Sequence, residues 1–235
     1  MSISVRQDRH VIFIGLVALM VLAAGLRAGF VFRDGEIGAL RGSHIEYFRA
    51  GKRLAIHGAF LSAWPTRDDV QIPSAMMPPV YTGVVAAAYL MAGENDATTA
   101  KIMVIFNIAC SIALVPVCFF VGRSMISQRA GWIAAFIVCT HPLLIAFNGL
   151  IWDTSLFALL IGCCLWGCAV LVRQDVTVQS FFIFGLLLGL TALVNPALTV
   201  LYPILVLWPA LRNRRCHAVY RRPMAKAVVG SIIGC

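Results

Sequence analysis

The stretch RDGEIGALRGSHIEYFRAGKRLAIHGAFLSAWPTRDDVQIPSAMMPPVY (33–81) is polar, lies between apolar runs and holds five of the ten carboxylates of the chain. It is preceded by VIFIGLVALMVLAAGLRAGFVF (11–32), which is long enough to cross a bilayer, where about 20 apolar residues are needed. That run is too long for a signal-peptide core and has no clear cleavage site after it, so it reads as a retained transmembrane helix. The whole chain is 60% hydrophobic and 12% charged, against about 45–50% and about 25% for soluble domains. Its mean hydropathy is +0.88. These values predict an all-α polytopic integral membrane protein, and the polar stretch becomes a large loop at one membrane face.

The net charge of +9 does not indicate nucleic acid, because the basic residues cluster in short segments beside apolar spans, as the positive-inside rule requires. Most of the eight cysteines (Cys110, Cys118, Cys139, Cys163, Cys164 and Cys168 among them) lie within apolar runs, and the loop has none. They form neither a disulfide framework nor a metal-ligand pattern and are read as packing residues.

Further spans are expected at 102–121, 131–147, 154–172, 180–194, 197–211 and from about 227. The segment PPVYTGVVAAAYLMAG (78–93) is short for a crossing, and charge decides its placement. If it lies at the interface, Arg6/Arg9, Arg123/Arg129, Arg173 and the Arg212–Lys226 cluster share one side, which the positive-inside rule makes cytoplasmic. Asp34, Glu36, Glu46, Asp68, Asp69, Glu94, Asp96 and Asp153 then share the other. Residues 33–100 thus form an extracytoplasmic loop with juxtamembrane helices, within a single domain 1–235 whose N-terminus is cytoplasmic. Arg27, near the outer end of the first span, is expected to snorkel to the interface. Asn195-Pro196 breaks the run 180–211 because proline lacks an N–H, giving a hairpin of short helices with Asn195 at its tip. The sequence ends about ten residues into an apolar run, too few for a crossing, which suggests the front part of a longer protein or a truncated product.

Within the loop, GSHIEYFRAGKRLAIHGAF reads as an amphipathic helix with Ser43 as N-cap, Gly58 as its C-terminal stop and Ile45, Phe48 and Leu54 as apolar contacts. Glu46, Arg49 and Arg53 share one face. Two readings stand for Glu46: an acid/base group with Arg49, Lys52 or Arg53 gripping a phosphate, or the return half of a Ser43–Glu46 capping box. Asp34 and Glu36 are either catalytic or interfacial charges, and His44 and His57 either move protons or are solvated. Asp68-Asp69 could hold a divalent cation or sit in a solvated turn. Asp153, at the outer end of an apolar helix, is either a site residue or a helix N-cap. His141-Pro142 predicts a kink, with His141 hydrogen-bonded in the bundle.

Taken together, GSHIEYFRAGKRLAIHGAF, PTRDDVQIPSAMMPPVYTGVVAAAYLMAG, GLIWDTSLFALL and FGLLLGLTALVNPALTVLYPILVLW resemble the GT-C membrane glycosyltransferases. The likeness is to the family 39-like group of protein O-mannosyltransferases and lipid A aminoarabinose transferases, and it covers most of residues 1–212. It implies a multi-pass enzyme of the cytoplasmic (inner) membrane that takes a sugar from a polyprenyl-phosphate donor, among membrane lipids, and passes it to an acceptor outside the cytoplasm. Carried over, the loop acid is Glu46 and the second outer acid is Asp153, with Asp34 in reserve; Arg49, Lys52 and Arg53 would hold the donor phosphate. Many relatives carry an Asp-Glu pair ahead of the loop tyrosine, where this chain has Ser43-His44 before Tyr47. No cofactor follows with certainty, and a divalent cation stays open. Rival readings are a transporter or flippase half with the broken helix at Asn195-Pro196 as its substrate site, and an inactive fragment of such a transferase.

Overall fold

The computed structural model describes residues 3–33, 46–62, 72–173 and 178–212, with the backbone alone at 3–9, 173, 178, 198 and 209–212. All regular elements among them are helical: α1 (Ile3–Val31), α2 (Glu46–His57), α3 (Pro79–Met91), α4 (Asp96–Met125), α5 (Gln128–Thr140), α6 (Pro142–Phe147), α7 (Thr154–Arg173), α8 (Val178–Val194), a 3-10 segment (Pro196–Leu201) and α9 (Tyr202–Arg212). Three stretches, His10–Val31, Asp96–Met125 and Thr154–Val172, are long and apolar enough to cross a membrane. The protein is a helical membrane protein.

Contacts along the helices fix their directions. Arg27 of α1 donates to Ser111 of α4 at 2.8 Å, while Ile12 and Leu16 share a core with Val115 and Phe119, so α1 and α4 are antiparallel. The chain therefore leaves α1 and enters α4 at one end of the bundle. Between them α3, at 13 residues, is only about 20 Å long. It lies under α2 at this loop end: a Cβ on Gly51 would fall 2.5 Å from Cγ1 of Val85, so the absence of a side chain lets the two helices touch. Val31, Tyr47, Phe48, Tyr81, Val85 and Met103 form the core there.

The α4–α5 turn brings backbone against backbone, with Gly122 facing Gly131 such that a Cβ on the former would lie 2.9 Å from the latter's Cα. Ser127 caps α5 by accepting the Ala130 N–H at 3.2 Å. Running parallel to α1, α5 places Trp132 over Gly15 and Cys139 beside Leu19. It then stops. The expected kinked span 131–147 is two helices separated at His141, whose backbone is extended. Pro142 has no N–H, so Val138 O lacks the donor four residues on that a continuous helix would supply.

Arg27 fills that gap, which corrects the expectation that it snorkels. Its side chain is fully buried. Nη2 donates to Val138 O at 3.0 Å, and Nη1 to Cys139 O at 2.9 Å and to Ala23 O at 3.2 Å. The guanidinium thus satisfies the carbonyl end of α5, where the helix dipole also favours a cation.

Beyond α6 the chain turns through 148–153 into α7, which runs back along the bundle. Cys164 meets Thr191 of α8 at 3.4 Å, and Cys168 meets Leu205 O of α9 at 3.8 Å. Since Asn195 meets Asp153 at the start of α7, α8 and α9 form the expected hairpin with Asn195 at its turn. Its return limb opens as the 3-10 segment. The charges sort by end: Glu46, Glu94, Asp96 and Asp153 lie at the loop end, whereas Arg123 and Arg129 join α4 to α5 at the other. Phe13, Ile14 and Val21 of α1 and Phe182, Ile183 and Leu186 of α8 are exposed, an apolar belt suited to lipid.

Candidate functional site

At the loop end, α2 ends as expected at Gly58, which takes φ +65 while its N–H bonds Leu54 O at 2.9 Å; glycine adopts that conformation without a Cβ clash. The helix buries Tyr47, Phe48, Ala50 and Gly51. Arg49 is exposed, Glu46, Arg53 and Leu54 are half-buried, and His57 is exposed in the last turn. The buried face carries the contact that matters. Tyr47, wedged edge-on against Tyr81 (5.0 Å between centroids) and Trp152 (5.4 Å), turns its hydroxyl to the carboxylate of Asp153.

Asp153 is 2% exposed. Its backbone carbonyl starts α7 by accepting the Phe157 N–H at 2.8 Å, so it occupies the cap position. The carboxylate is nevertheless turned toward side chains of other elements. Asn195 Nδ2 donates to Oδ2 at 3.1 Å, and Tyr47 donates from α2. Burial pushes the Asp153 carboxyl above the usual carboxylate range, while hydrogen bonds from Asn195, Tyr47 and the residue's own main chain pull the other way. Burial likewise raises the Tyr47 phenol, followed by the adjacent charge of Asp153, its hydrogen bond to that carboxylate, and Glu46. Tyr47 is accordingly a hydrogen-bond donor at neutral pH.

A second layer holds the segment before Asp153. Tyr81 donates to Asn107 Oδ1 at 3.1 Å, and Asn107 Nδ2 donates to Leu150 O at 2.7 Å. Ser155 donates to Asn148 Oδ1 at 3.3 Å. Among the described residues no buried side-chain polar atom lacks a partner, so the Asp153 carboxylate is held by neighbours that are themselves fixed.

The basic residues of α2 diverge. Lys52 Nζ pairs with Asp96 at 2.8 and 3.0 Å and sits 5.3 Å over the Tyr89 ring, tying α2 to the start of α4. Hydrogen bonding to Asp96 raises its pKa. Arg53 donates to Ser62 O at 2.5 Å, and Arg49 reaches solvent. His141 Nδ1 accepts the Leu144 N–H at 3.5 Å, so it caps α6. Asp34, Glu36, Ser43, His44, Ile45, Asp68 and Asp69 lie outside the described residues, and with them the Ser43–Glu46 capping box. Among the described residues no group of three or more His, Cys, Asp or Glu side chains is placed to hold a metal ion.

The structure therefore joins Asp153 to α2 through Tyr47, the residue next to Glu46, and to the hairpin tip through Asn195. Sequence reasoning did not single out Tyr47, Tyr81 or Asn107. The available signal was Tyr47 on the apolar face of an amphipathic helix, where a phenol needs a partner. No protein-family model, curated protein or solved structure matches this chain.

Proposed function

We propose that this protein is a GT-C-like membrane glycosyltransferase that moves a sugar from a polyprenyl-phosphate donor to an acceptor outside the cytoplasm. The observation that carries this reading is the buried carboxylate of Asp153, set at the polar-loop end of the bundle beside the helix that bears Glu46 and Arg49. Sugar phosphates already hold a good leaving group. The protein must then position the acceptor, accept its hydroxyl proton and stabilise the departing phosphate.

Asp153, whose burial moves its pKa toward neutrality, is the preferred proton acceptor; Glu46 is second and Asp34 third. Arg49 is the readiest phosphate ligand because its side chain is exposed, whereas Lys52 and Arg53 would first exchange Asp96 and Ser62 O for the donor. The loop end is the extracytoplasmic end in this proposal, and the arginine-bearing α4–α5 turn is cytoplasmic, as the positive-inside rule favours.

The test supplies a radiolabelled polyprenyl-phosphate sugar to membranes containing the full reading frame. Transfer that falls at least tenfold in both Asp153→Asn and Glu46→Gln supports the assignment. Donor crossing without transfer would instead indicate a carrier, and unchanged transfer in both variants would remove these acids from the chemistry.

A further inference from the structure

The Asn195 side chain is fixed at both ends. Its Oδ1 accepts the Ala197 N–H at 3.1 Å, capping the 3-10 segment. Pro196 follows directly and has no N–H, so the chain can leave α8 in the new direction without stranding a donor. With Oδ1 committed to a backbone donor, the amide can present only its N–H₂ group to the other side, where it meets Asp153 Oδ2 at 3.1 Å. The orientation of the amide follows from the hydrogen bonds themselves.

We propose that Asn195 is a positioning residue for Asp153: the capped hairpin tip holds an amide donor against one carboxylate oxygen, fixing the carboxylate's rotation and favouring its ionised form. This rests on the reading of Asp153 as the acid/base group only for its consequence in catalysis; the link between hairpin and carboxylate stands on the geometry. Among the described residues the groups facing Asp153 are few. From α2 comes the Tyr47 hydroxyl and from α3 the more distant Tyr81 phenol, while the hairpin contributes neutral Asn195. Among the described residues no cation contributes to the Asp153 carboxyl. The donors it does have, Tyr47 and Asn195, are neutral, and Asn195 is the one delivered by a separate helical hairpin.

The two jobs of Asn195 can be separated by substitution. In Asn195→Ser a hydroxyl can still cap Ala197 but is too short to reach Asp153. In Asn195→Asp an isosteric carboxylate caps equally well and presents an acceptor in place of the donor, so two acids must share a proton. The carboxyl band of Asp153 is followed by infrared difference spectroscopy against Asp153→Asn, over a pH series, in the full chain in lipid nanodiscs and without any sugar donor.

The titration midpoint is expected to rise by about one pH unit in Asn195→Ser and further in Asn195→Asp. Unchanged midpoints in both would overturn the proposal; if the serine variant fails to fold, the isosteric aspartate decides alone. Sugar transfer is measured separately. A midpoint that moves while Asp153→Asn retains full transfer would refute the proposed reaction and leave the positioning link intact, and the converse pattern would refute the link alone.

Discussion

Replacing Arg27 tests whether the break at Pro142 is what requires a buried guanidinium. In Arg27→Met the apolar stem is kept and the fork is lost, leaving Val138 O and Cys139 O without their donors. A buried unsatisfied polar group costs about 1–3 kcal/mol, so the two together cost about 2–6 kcal/mol. Against this stands the dehydration of the guanidinium, which the variant no longer bears; insertion scales set it near 2.5–3.5 kcal/mol at a helix centre, and it is smaller near a helix end. At mid-range, about 4 kcal/mol against about 3 kcal/mol, the orphaned carbonyls win for a net loss of about 1 kcal/mol. Pro142→Ala restores an N–H at the position that would close on Val138 O in a continuous helix. The cost of Arg27→Met is then expected to shrink by about 1 kcal/mol in that background, the value of one recovered hydrogen bond. Thermal unfolding of the four proteins of this double-mutant cycle, in one detergent, gives the coupling directly. Additive losses, or an Arg27→Met protein as stable as the parent, would show that the guanidinium does not serve the broken helix.

Four further outcomes follow from the same contacts. Gly51→Val drives a branched side chain into Val85 and the Ala86 backbone, and is expected to splay α2 from α3 at about 1–3 kcal/mol, seen as a lowered melting temperature and faster proteolysis of the loop. The half-exposed Lys52–Asp96 pair is expected to show a coupling of at most about 1 kcal/mol, weakening in salt; because its lysine pKa is raised, that contribution is full below the ordinary lysine value and fades as pH climbs through the raised one. The raised Asp153 carboxyl gives the reverse sense to activity and stability. Stability is expected to fall as pH rises from the ordinary carboxylate range through the raised value, transfer to increase over that same limb, and Asp153→Asn to lack the stability slope. Reporter fusions at Glu94 and at Ser127 are expected to lie on opposite membrane faces, and a shared face would refute a crossing by α4.

Much of the architecture could be read from one dimension because the bilayer reduces folding to lengths and charges. The three long apolar helices α1, α4 and α7, the shortness of α3 and the grouping of Asp153 with the loop end all follow from apolar run length and arginine distribution. Gly58 was legible for a local reason, its left-handed φ at the end of α2. Arg27 was not. Distance from the end of a span suggests snorkelling, whereas its fate depends on carbonyls more than a hundred residues away that a proline has left without donors. Tyr47 was hidden similarly: its helix position says that it is buried, but its partner Asp153 is chosen by the packing of α2 against the α6–α7 connection.

Three helices at the loop end begin in the same manner, and this connects the breaks to the site. Pro79, Pro142 and Pro196 each stand at the start of α3, α6 and the 3-10 segment, where a missing N–H is harmless and a fixed φ helps initiate the turn. His141 and Asn195, the residues before two of them, cap the new helices with their side chains. At Pro142 and Pro196 a preceding helix loses a donor, and the structure answers differently. Below Pro142 the carbonyls are taken by Arg27, which locks α5 to α1 and supports the segment that leads to Asp153. At Pro196 the capping amide reaches outward and holds Asp153 itself. A helix ended by proline in an apolar bundle must find polar partners for its freed groups, and at Pro196 the capping residue also reaches the one buried carboxylate among the described residues. Substitutions that repair either helix, Pro142→Ala or Pro196→Ala, are therefore expected to disturb the titration of Asp153 more than their distance in sequence suggests. The Pro196 variant should have the larger effect, since only that break delivers its donor to the carboxylate.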